Sequence, residues 1–261
     1  MQLYKESAEI VSREQIAEDI FRFTVKSPDV AAASRPGQFV MVRTGDGLDP
    51  LLRRPFSIHQ VVAGGLVQIL FKVIGKGTRE LASMESGRKL DMLGPVGSGF
   101  AIADESQHIL VGGGIGIAPL LFLAGHILEK SEPLPIKVLL GARTKDEIFT
   151  LKGDFESMGL KVDAITEDGT LGKQGLVTDL MVDLQQEKPV MIYGCGPYPM
   201  LRAVAGTCRN NNWKCQVSLE TMMACGLAAC LGCAVLRADM KGYVHACKDG
   251  PVFDADDVAW L

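Results

Sequence analysis

The 261-residue sequence has no excess of positive charge: 27 lysines and arginines face 31 aspartates and glutamates, a formal net charge of −4, with no basic run. That excludes the electrostatic footprint of a nucleic-acid binder. Nor is there an apolar run long enough to cross a bilayer. The longest, Ile109 to Gly125, has 17 residues including five glycines and a proline, against the roughly 20 mostly apolar residues of a membrane helix. It reads instead as a buried strand, a loop and a helix start. The N-terminus is charged within its first six residues and lacks the apolar core and small-residue cleavage site of an export signal. A cytoplasmic protein with no membrane partner is therefore expected. Repeats, heptads and low-complexity linkers are missing too, and with 47% apolar residues disorder and coiled coil are excluded.

What is present falls into three stretches, 1–100, 101–220 and 221–261. In the first, segments rich in β-branched and aromatic residues (Phe21 to Val25, Phe39 to Val42, Leu66 to Val73) are punctuated by Gly and Pro. Val67, Ile69, Phe71 and Val73 share a face, and strands at this spacing predict a small antiparallel β-barrel. From about Gln107, apolar strands at Ile109–Val111, Ile136–Leu140, Val162–Ile165 and Val190–Tyr193 alternate with helical segments at Pro119–Leu128, Phe149–Met158, Leu176–Leu184 and Pro199–Asn210. That alternation predicts an α/β domain with a parallel sheet and crossover helices. The third stretch holds four of the seven cysteines and few long elements.

Those four, Cys225, Cys230, Cys233 and Cys247, are separated by four, two and thirteen residues. This is the spacing of a plant-type [2Fe–2S] site. A zinc ribbon normally supplies two short Cys pairs joined by a longer connection. Between Cys225 and Cys233 every other residue is small or apolar, so backbone N–H groups can approach the sulfurs. Zinc, or four thiols packed as small hydrophobes, are the alternatives.

Two glycine-rich turns stand at strand-to-helix junctions. Gly112 to Leu120 follows an apolar strand and precedes an apolar helix, the arrangement that holds a pyrophosphate on backbone N–H groups at a helix start. It departs from strict G-x-G-x-x-G, since the third glycine would fall at Pro119 or later. Tyr193-Gly194-Cys195-Gly196-Pro197 closes the strand at Val190–Tyr193, so Cys195 either faces a ligand crevice or is a packed thiol. In the barrel stretch, Arg53-Arg54-Pro55-Phe56-Ser57-Ile58 is expected to place two guanidiniums, an aromatic ring and a hydroxyl on one edge. Arginine offers bidentate donors to phosphate. Gly75-Lys76-Gly77-Thr78 opens a helix expected over Thr78–Ser83 that would add a second phosphate anchor.

Taken together, Arg54-Pro55-Phe56-Ser57, the Gly112–Leu120 turn, Tyr193–Leu201 and the cysteine tail resemble the electron-transfer subunits of class 1B dihydroorotate dehydrogenases, in the ferredoxin–NADP reductase superfamily. The resemblance covers essentially the whole chain. It implies a six-stranded FAD-binding barrel, a Rossmann-like NAD domain and a C-terminal [2Fe–2S] segment. Arg54 would bind the flavin phosphates, Ser57 would sit near flavin N5, and Gly77 and Thr78 would hold the pyrophosphate. Pro55, Phe56, Phe71, Lys72 and Val73 complete the expected cofactor-binding set on the barrel. Gly113, Gly114 and Gly116, with Cys195, Gly196 and Pro197, would line the nicotinamide site, Cys195 and Ser57 being the candidate catalytic residues. Cys225, Cys230, Cys233 and Cys247 would ligate the cluster. Phe56 stands where the wider superfamily has a tyrosine, and Thr221-Met222 replaces a more polar pair.

This cofactor set has its own logic. A nicotinamide exchanges two electrons as a hydride and a [2Fe–2S] centre carries one, so a flavin must stand between them. The expected route runs from cluster to FAD to NAD+. The three stretches consume the 261 residues, so the electron donor is expected on another chain. By the resemblance it is an FMN-containing dihydroorotate dehydrogenase subunit, in a complex of two plus two. Met222, Met223, Leu227 and Leu231 are expected to form an apolar rim where it docks. A sulfhydrogenase or a ferredoxin–NADP(H) transhydrogenase could use the same module, and NAD and NADP are both open.

Overall fold

The computed structural model describes residues 2–45, 47–103, 107–130, 135–182, 184 and 189–261. Its N-terminal part is a closed antiparallel barrel of β1 (Tyr4–Ala17), β2 (Ile20–Lys26), β3 (Phe39–Val42), β4 (Arg54–Val62), β5 (Leu66–Lys72) and β6 (Lys89–Val96), in the order β1-β2-β5-β4-β3-β6. Helices α1 (Pro28–Ala33) and α2 (Lys76–Ala82) occupy two connections. Alternation builds the interior, because every second residue of a strand faces the same side. Val67, Ile69 and Phe71 of β5 meet Phe23, Val25, Val40, Val42 and Ile58. The Phe71 ring lies 5.9, 5.1 and 5.4 Å from those of Phe21, Phe23 and Phe56. Val73 falls just beyond the strand. The sequence reading misses β1, whose buried residues are only Ala8 and Ile10, because charged outward positions hide the period.

The second sheet contains β7 (Gln107–Gly113), β8 (Ile136–Ala142), β9 (Lys161–Thr166), β10 (Val190–Cys195), β11 (Lys214–Ser218) and, at its edge, β14 (Val252–Asp254). Its order is β14-β11-β10-β7-β8-β9, parallel except for β14. Helices α3 (Ala118–Leu128), α4 (Lys145–Ser157) and α5 (Tyr198–Asn210) cross between strands. All six residues of β10 are buried, as expected for a strand covered on both faces. The helix expected over Leu176–Leu184 is instead a single 3-10 turn at Val177–Met181, where the β-branched Val177, Thr178 and Val182 disfavour a longer α-helix. From Thr221 the chain forms the hairpin β12 (Ala234–Leu236) and β13 (Tyr243–His245) before β14. The tail is thus not a free-standing unit, since its β14 pairs with β11 through Gln216–Asp254, Val217–Phe253 and Ser218–Val252. No helix among the described residues is long and apolar enough to cross a membrane.

Barrel and sheet meet at α3. Ile20 and Leu70 leave the barrel wall to join Leu110, Leu120, Leu121 and Ile127 in one core. The His59 Nδ1–H of β4 donates to the carbonyl of Ala118 at 2.7 Å, and Arg22 pairs with Asp154 of α4 at 2.6 Å. His59 is fully buried, and burial pushes its imidazole down to about 4. Between that value and the ordinary 6.5 the unfolded chain binds the extra proton, so stability is complete above pH 6.5 and falls with pH towards 4. Urea unfolding should show this single group costing about 2 kcal/mol at pH 5 relative to pH 7. His59→Gln should abolish that part of the pH dependence, and an unchanged difference between the two pH values would refute the assignment.

Candidate functional site

A cavity of about 400 Å³ opens where the barrel faces the carboxyl ends of β10 and β11. Arg54, Pro55, Phe56 and Ser57 of β4, Phe71 and Lys72 of β5, and Thr78 of α2 form its barrel wall. Opposite lie Cys195, Ser218, Glu220, Thr221 and Met223. The two arginines do not share this edge: strand alternation sends Arg53 to Asp91, at 2.6 Å, and leaves Arg54 in the cavity. Arg54 Nη1 donates to the Leu52 carbonyl at 2.7 Å. A Cβ placed on Gly77 would lie 3.0 Å from Thr44 Oγ1 and 3.4 Å from Arg54 Nε, so Gly77 lets the start of α2 pack closely against a guanidinium. On the cavity wall the Thr221 hydroxyl is buried without a partner. An orphaned donor and an arginine beside an apolar slot fit a flavin nucleotide, whose phosphates and ring edges supply acceptors. The Thr78 hydroxyl is occupied, accepting from the N–H groups of Ile74 and Gly75 at 2.9 and 3.1 Å. Helix α2 accordingly starts at Lys76, two residues before the expected start. Val73 faces a separate polar cleft with Arg79 and Glu147.

A second cavity, of about 440 Å³, lies over the carboxyl ends of β7, β8 and β9. Gly113, Gly114 and Pro197 line it, with Met200 and Ala203 of α5, Gly175 to Thr178, Arg143, Glu147 and Glu167. Ile115 and Lys72 line both cavities. The glycine turn runs from β7 through a 3-10 turn at Gly114–Ile117 into α3. Gly116 and Gly196 line neither cavity; they press backbone to backbone, so that a Cβ on Gly116 would stand on the Gly196 main chain. Cys195 faces the barrel-side cavity, not the glycine-turn cavity, because β10 ends where the two diverge. Burial, with a smaller contribution from Glu220, pushes its thiol far above the ordinary range. It remains a neutral thiol, poorly suited to nucleophilic attack.

The cysteine loop follows directly on the residues that line the barrel-side cavity. Leu227 N–H and Cys230 N–H donate to Cys225 Sγ at 3.3 and 3.5 Å, and Ala228 N–H donates to Cys247 Sγ at 3.2 Å. The Cys233 and Cys247 sulfurs are 3.2 Å apart. Cys230 is exposed, Cys225 half-buried, and Cys233 and Cys247 buried. Gly226, at φ 69°, presses against Met41 of the barrel, where a Cβ would lie 2.6 Å from Met41 Cγ. For Cys225 burial acts upward, but donation from the N–H groups of Leu227, Cys230 and Ala229 outweighs it and brings the thiol to about 6. Backbone donors converging on sulfur stabilise thiolates, the form that binds metal. The donor set fits an iron–sulfur cluster. Sequence reasoning finds the four cysteines but misses Ser218, Glu220, Thr221, Met223 and Pro251 as cavity residues, since no local pattern tells that the tail folds back on the barrel.

Three family models match in succession: an oxidoreductase FAD-binding domain over residues 7–100, an oxidoreductase NAD-binding domain over 110–206, and the iron–sulfur cluster binding domain of dihydroorotate dehydrogenase B over 220–259. The cysteine tail is thus an iron–sulfur site and not a zinc one. The dihydroorotate dehydrogenase B (NAD(+)) electron transfer subunit of Fusobacterium nucleatum subsp. nucleatum is 37% identical over 251 residues, 94% of each chain. The like-named subunit of Caldanaerobacter subterraneus subsp. tengcongensis is 38% identical over 257 residues, 98% of each. Among solved structures, that of an NADH-dependent reduced ferredoxin-NADP oxidoreductase, described for flavin-based electron bifurcation, superposes with TM-score 0.87 at 33% identity, over 98% of this chain and 90% of that one. The ferredoxin reductase in carbazole 1,9a-dioxygenase shares the fold, with TM-score 0.68 at 22% identity over 82% of this chain and 67% of its own. With its three cofactor domains in this order and relatives matched along nearly their whole length, the chain belongs to the family of dihydroorotate dehydrogenase B electron transfer subunits.

Proposed function

We propose that this chain carries electrons from a partner subunit that oxidises dihydroorotate to NAD+, serving pyrimidine biosynthesis in the cytoplasm. The partner in this reading is the FMN-containing catalytic subunit, in a complex of two plus two. One observation carries the reading: the cysteine loop, the barrel-side cavity and the sheet-side cavity are contiguous. Leu219 to Thr221 and Met223 line the first cavity and lead into Cys225, while Lys72 and Ile115 border both cavities. A flavin in the middle position supplies hydride exchange with a nicotinamide on one side and single-electron exchange with a cluster on the other.

The residues then take defined tasks. Arg54, with the close approach of α2 that Gly77 allows, holds phosphate, Phe56 and Phe71 give the slot an apolar wall, and Ser57 presents a hydroxyl to it. Cys195, neutral and buried, orients what lies between the cavities. Gly113, Gly114 and Pro197 let a dinucleotide approach the main chain. Cys225, Cys230, Cys233 and Cys247 hold the cluster under the N–H groups of Leu227, Ala228 and Cys230. Beside them Met222, Leu227 and Leu231 are 89%, 51% and 58% exposed, an apolar patch suited to a partner surface. Met223 departs from that rim, turning inward to line the cavity. The likeness to the ferredoxin-NADP oxidoreductase structure favours a second reading, a transhydrogenase subunit. Assaying the purified complex with dihydroorotate and with reduced ferredoxin decides between them.

Arg54→Ala should lose a charge-assisted phosphate contact of about 1.5–3 kcal/mol, weakening FAD roughly ten- to hundredfold; retention of stoichiometric flavin through dilution and gel filtration would contradict this. Cys195→Ala should keep its flavin but slow flavin reduction by NADH roughly ten- to hundredfold in stopped flow, as expected for lost positioning. An unchanged rate would make Cys195 a packing residue only. Leu227→Glu should abolish co-purification with the dehydrogenase subunit, since docking would bury an unpaired charge. The variant should still reduce an artificial acceptor with NADH, and intact assembly would show that the partner docks elsewhere.

A further inference from the structure

In dinucleotide-binding sheets the strand next to the glycine-turn strand ends beside the ribose 2′ position, where an acid accepts the hydroxyl of NAD and an arginine accommodates the 2′-phosphate of NADP. Here that strand is β8, and the residue after it is Arg143, which lines the sheet-side cavity. By residue type alone the site reads as one for NADP.

One edge of the guanidinium, however, is already engaged. Arg143 Nη2 and Nε donate to Glu147 Oε1 at 2.6 and 3.2 Å, and the Arg143 backbone N–H donates to Glu147 Oε2 at 3.2 Å. Glu147, whose side chain is 12% exposed, also accepts from Lys72 Nζ at 2.9 Å. Glu167 is a second carboxylate on the same cavity wall. The charged residues lining the cavity are therefore Lys72 and Arg143 against Glu147 and Glu167, with no cation in surplus. Nearby Lys145 points its ammonium over the Phe149 ring, 4.6 Å from its centre. Burial acts to raise the Glu147 carboxyl, but its bonds to Arg143 and Lys72 outweigh that and bring it to about 2. It is ionised throughout the physiological range. A 2′-phosphate, carrying a charge of roughly −1.5 to −2, would have to share an Arg143 side chain that is 67% exposed with the Glu147 carboxylate 2.6 Å away, and would face that negative charge at close range, a like-charge juxtaposition that disfavours binding.

We propose that Glu147 makes this cavity selective for NAD over NADP by holding Arg143 out of reach of a 2′-phosphate. Selectivity then comes from an arginine whose paired edge is held by Glu147. This rests on the sheet-side cavity being the dinucleotide site, and the test separates the two.

Titration calorimetry of the cofactor-loaded complex with 5′-AMP and with 2′,5′-ADP reads the 2′ preference without turnover. The wild type should favour 5′-AMP. Glu147→Gln should shift the affinity ratio towards 2′,5′-ADP by about tenfold or more, the worth of one charge-assisted bond. Adding Arg143→Ala should remove that shift, and flavin reduction by NADH and NADPH should follow the same order. Should Glu147→Gln fail to fold, Arg143→Gln alone remains informative: its affinity ratio should stay within about threefold of the wild type. A ratio unmoved by Glu147→Gln, a shift that survives loss of Arg143, or a collapse of 2′,5′-ADP binding in Arg143→Gln would overturn the selectivity proposal. If neither nucleotide binds the wild type, the dinucleotide site itself is misplaced and the proposal falls with it.

Discussion

The contact between the barrel's outer wall and the first turns of α3 is the constraint on which the rest depends. Ile20 and Leu70 are buried there among Leu120, Leu121 and Ile127, and each fully buried aliphatic side chain is worth about 1.5–3 kcal/mol. The flanking ion pairs, Arg22 with Asp154 and Lys72 with Glu147, are weaker levers, since partly exposed pairs contribute about 0–1 kcal/mol. Apolar burial therefore fixes the angle between barrel and sheet, and the ion pairs trim it. That angle sets Lys72 and Ile115 on the boundary of both cavities. Two cavities, one beside the barrel and one over the sheet, become neighbours because one hydrophobic seam holds their rims together.

The C-terminal segment adds a second constraint by serving several neighbours at once. Met41 of β3 backs against Gly226 in the cysteine loop, Gly97 abuts Gly250 and Pro251, and β14 closes the edge of the nucleotide sheet. Further along, the Tyr198 hydroxyl of α5 donates to the Ala259 carbonyl at 3.1 Å, and Trp260 Nε1–H donates to the Ala255 carbonyl at 2.8 Å. A loop with three thiols in nine residues has no core of its own. It is positioned by lying against two larger bodies that do.

How much of this was legible in the residues depends on the range of the interactions. Parallel strands such as Val190–Tyr193 announce themselves as unbroken apolar runs, because both faces are covered. The cysteine spacing reports on a single loop and a nearby hairpin, so it too survives in one dimension. β1 does not, because only Ala8 and Ile10 among its fourteen residues are buried. The parting of Arg53 and Arg54 follows from strand alternation but needs the strand's start to be known. The placement of Cys195 on the barrel side depends on how two domains are set against each other. The pairing of Arg143 with Glu147 is a local contact four residues apart, but its place on a cavity wall is not visible in one dimension.

The barrel-side cavity takes part of its wall from Phe39 and Arg54 on the barrel and another part from Thr221, Met223 and Pro251 in the tail. Barrel strands alone leave that pocket without its far side, so a folding intermediate holding only the barrel presents an open surface in place of an enclosed slot. Retention of a ligand there therefore reports that the tail has docked on the barrel, which makes cofactor content a readout of long-range folding as well as of local binding.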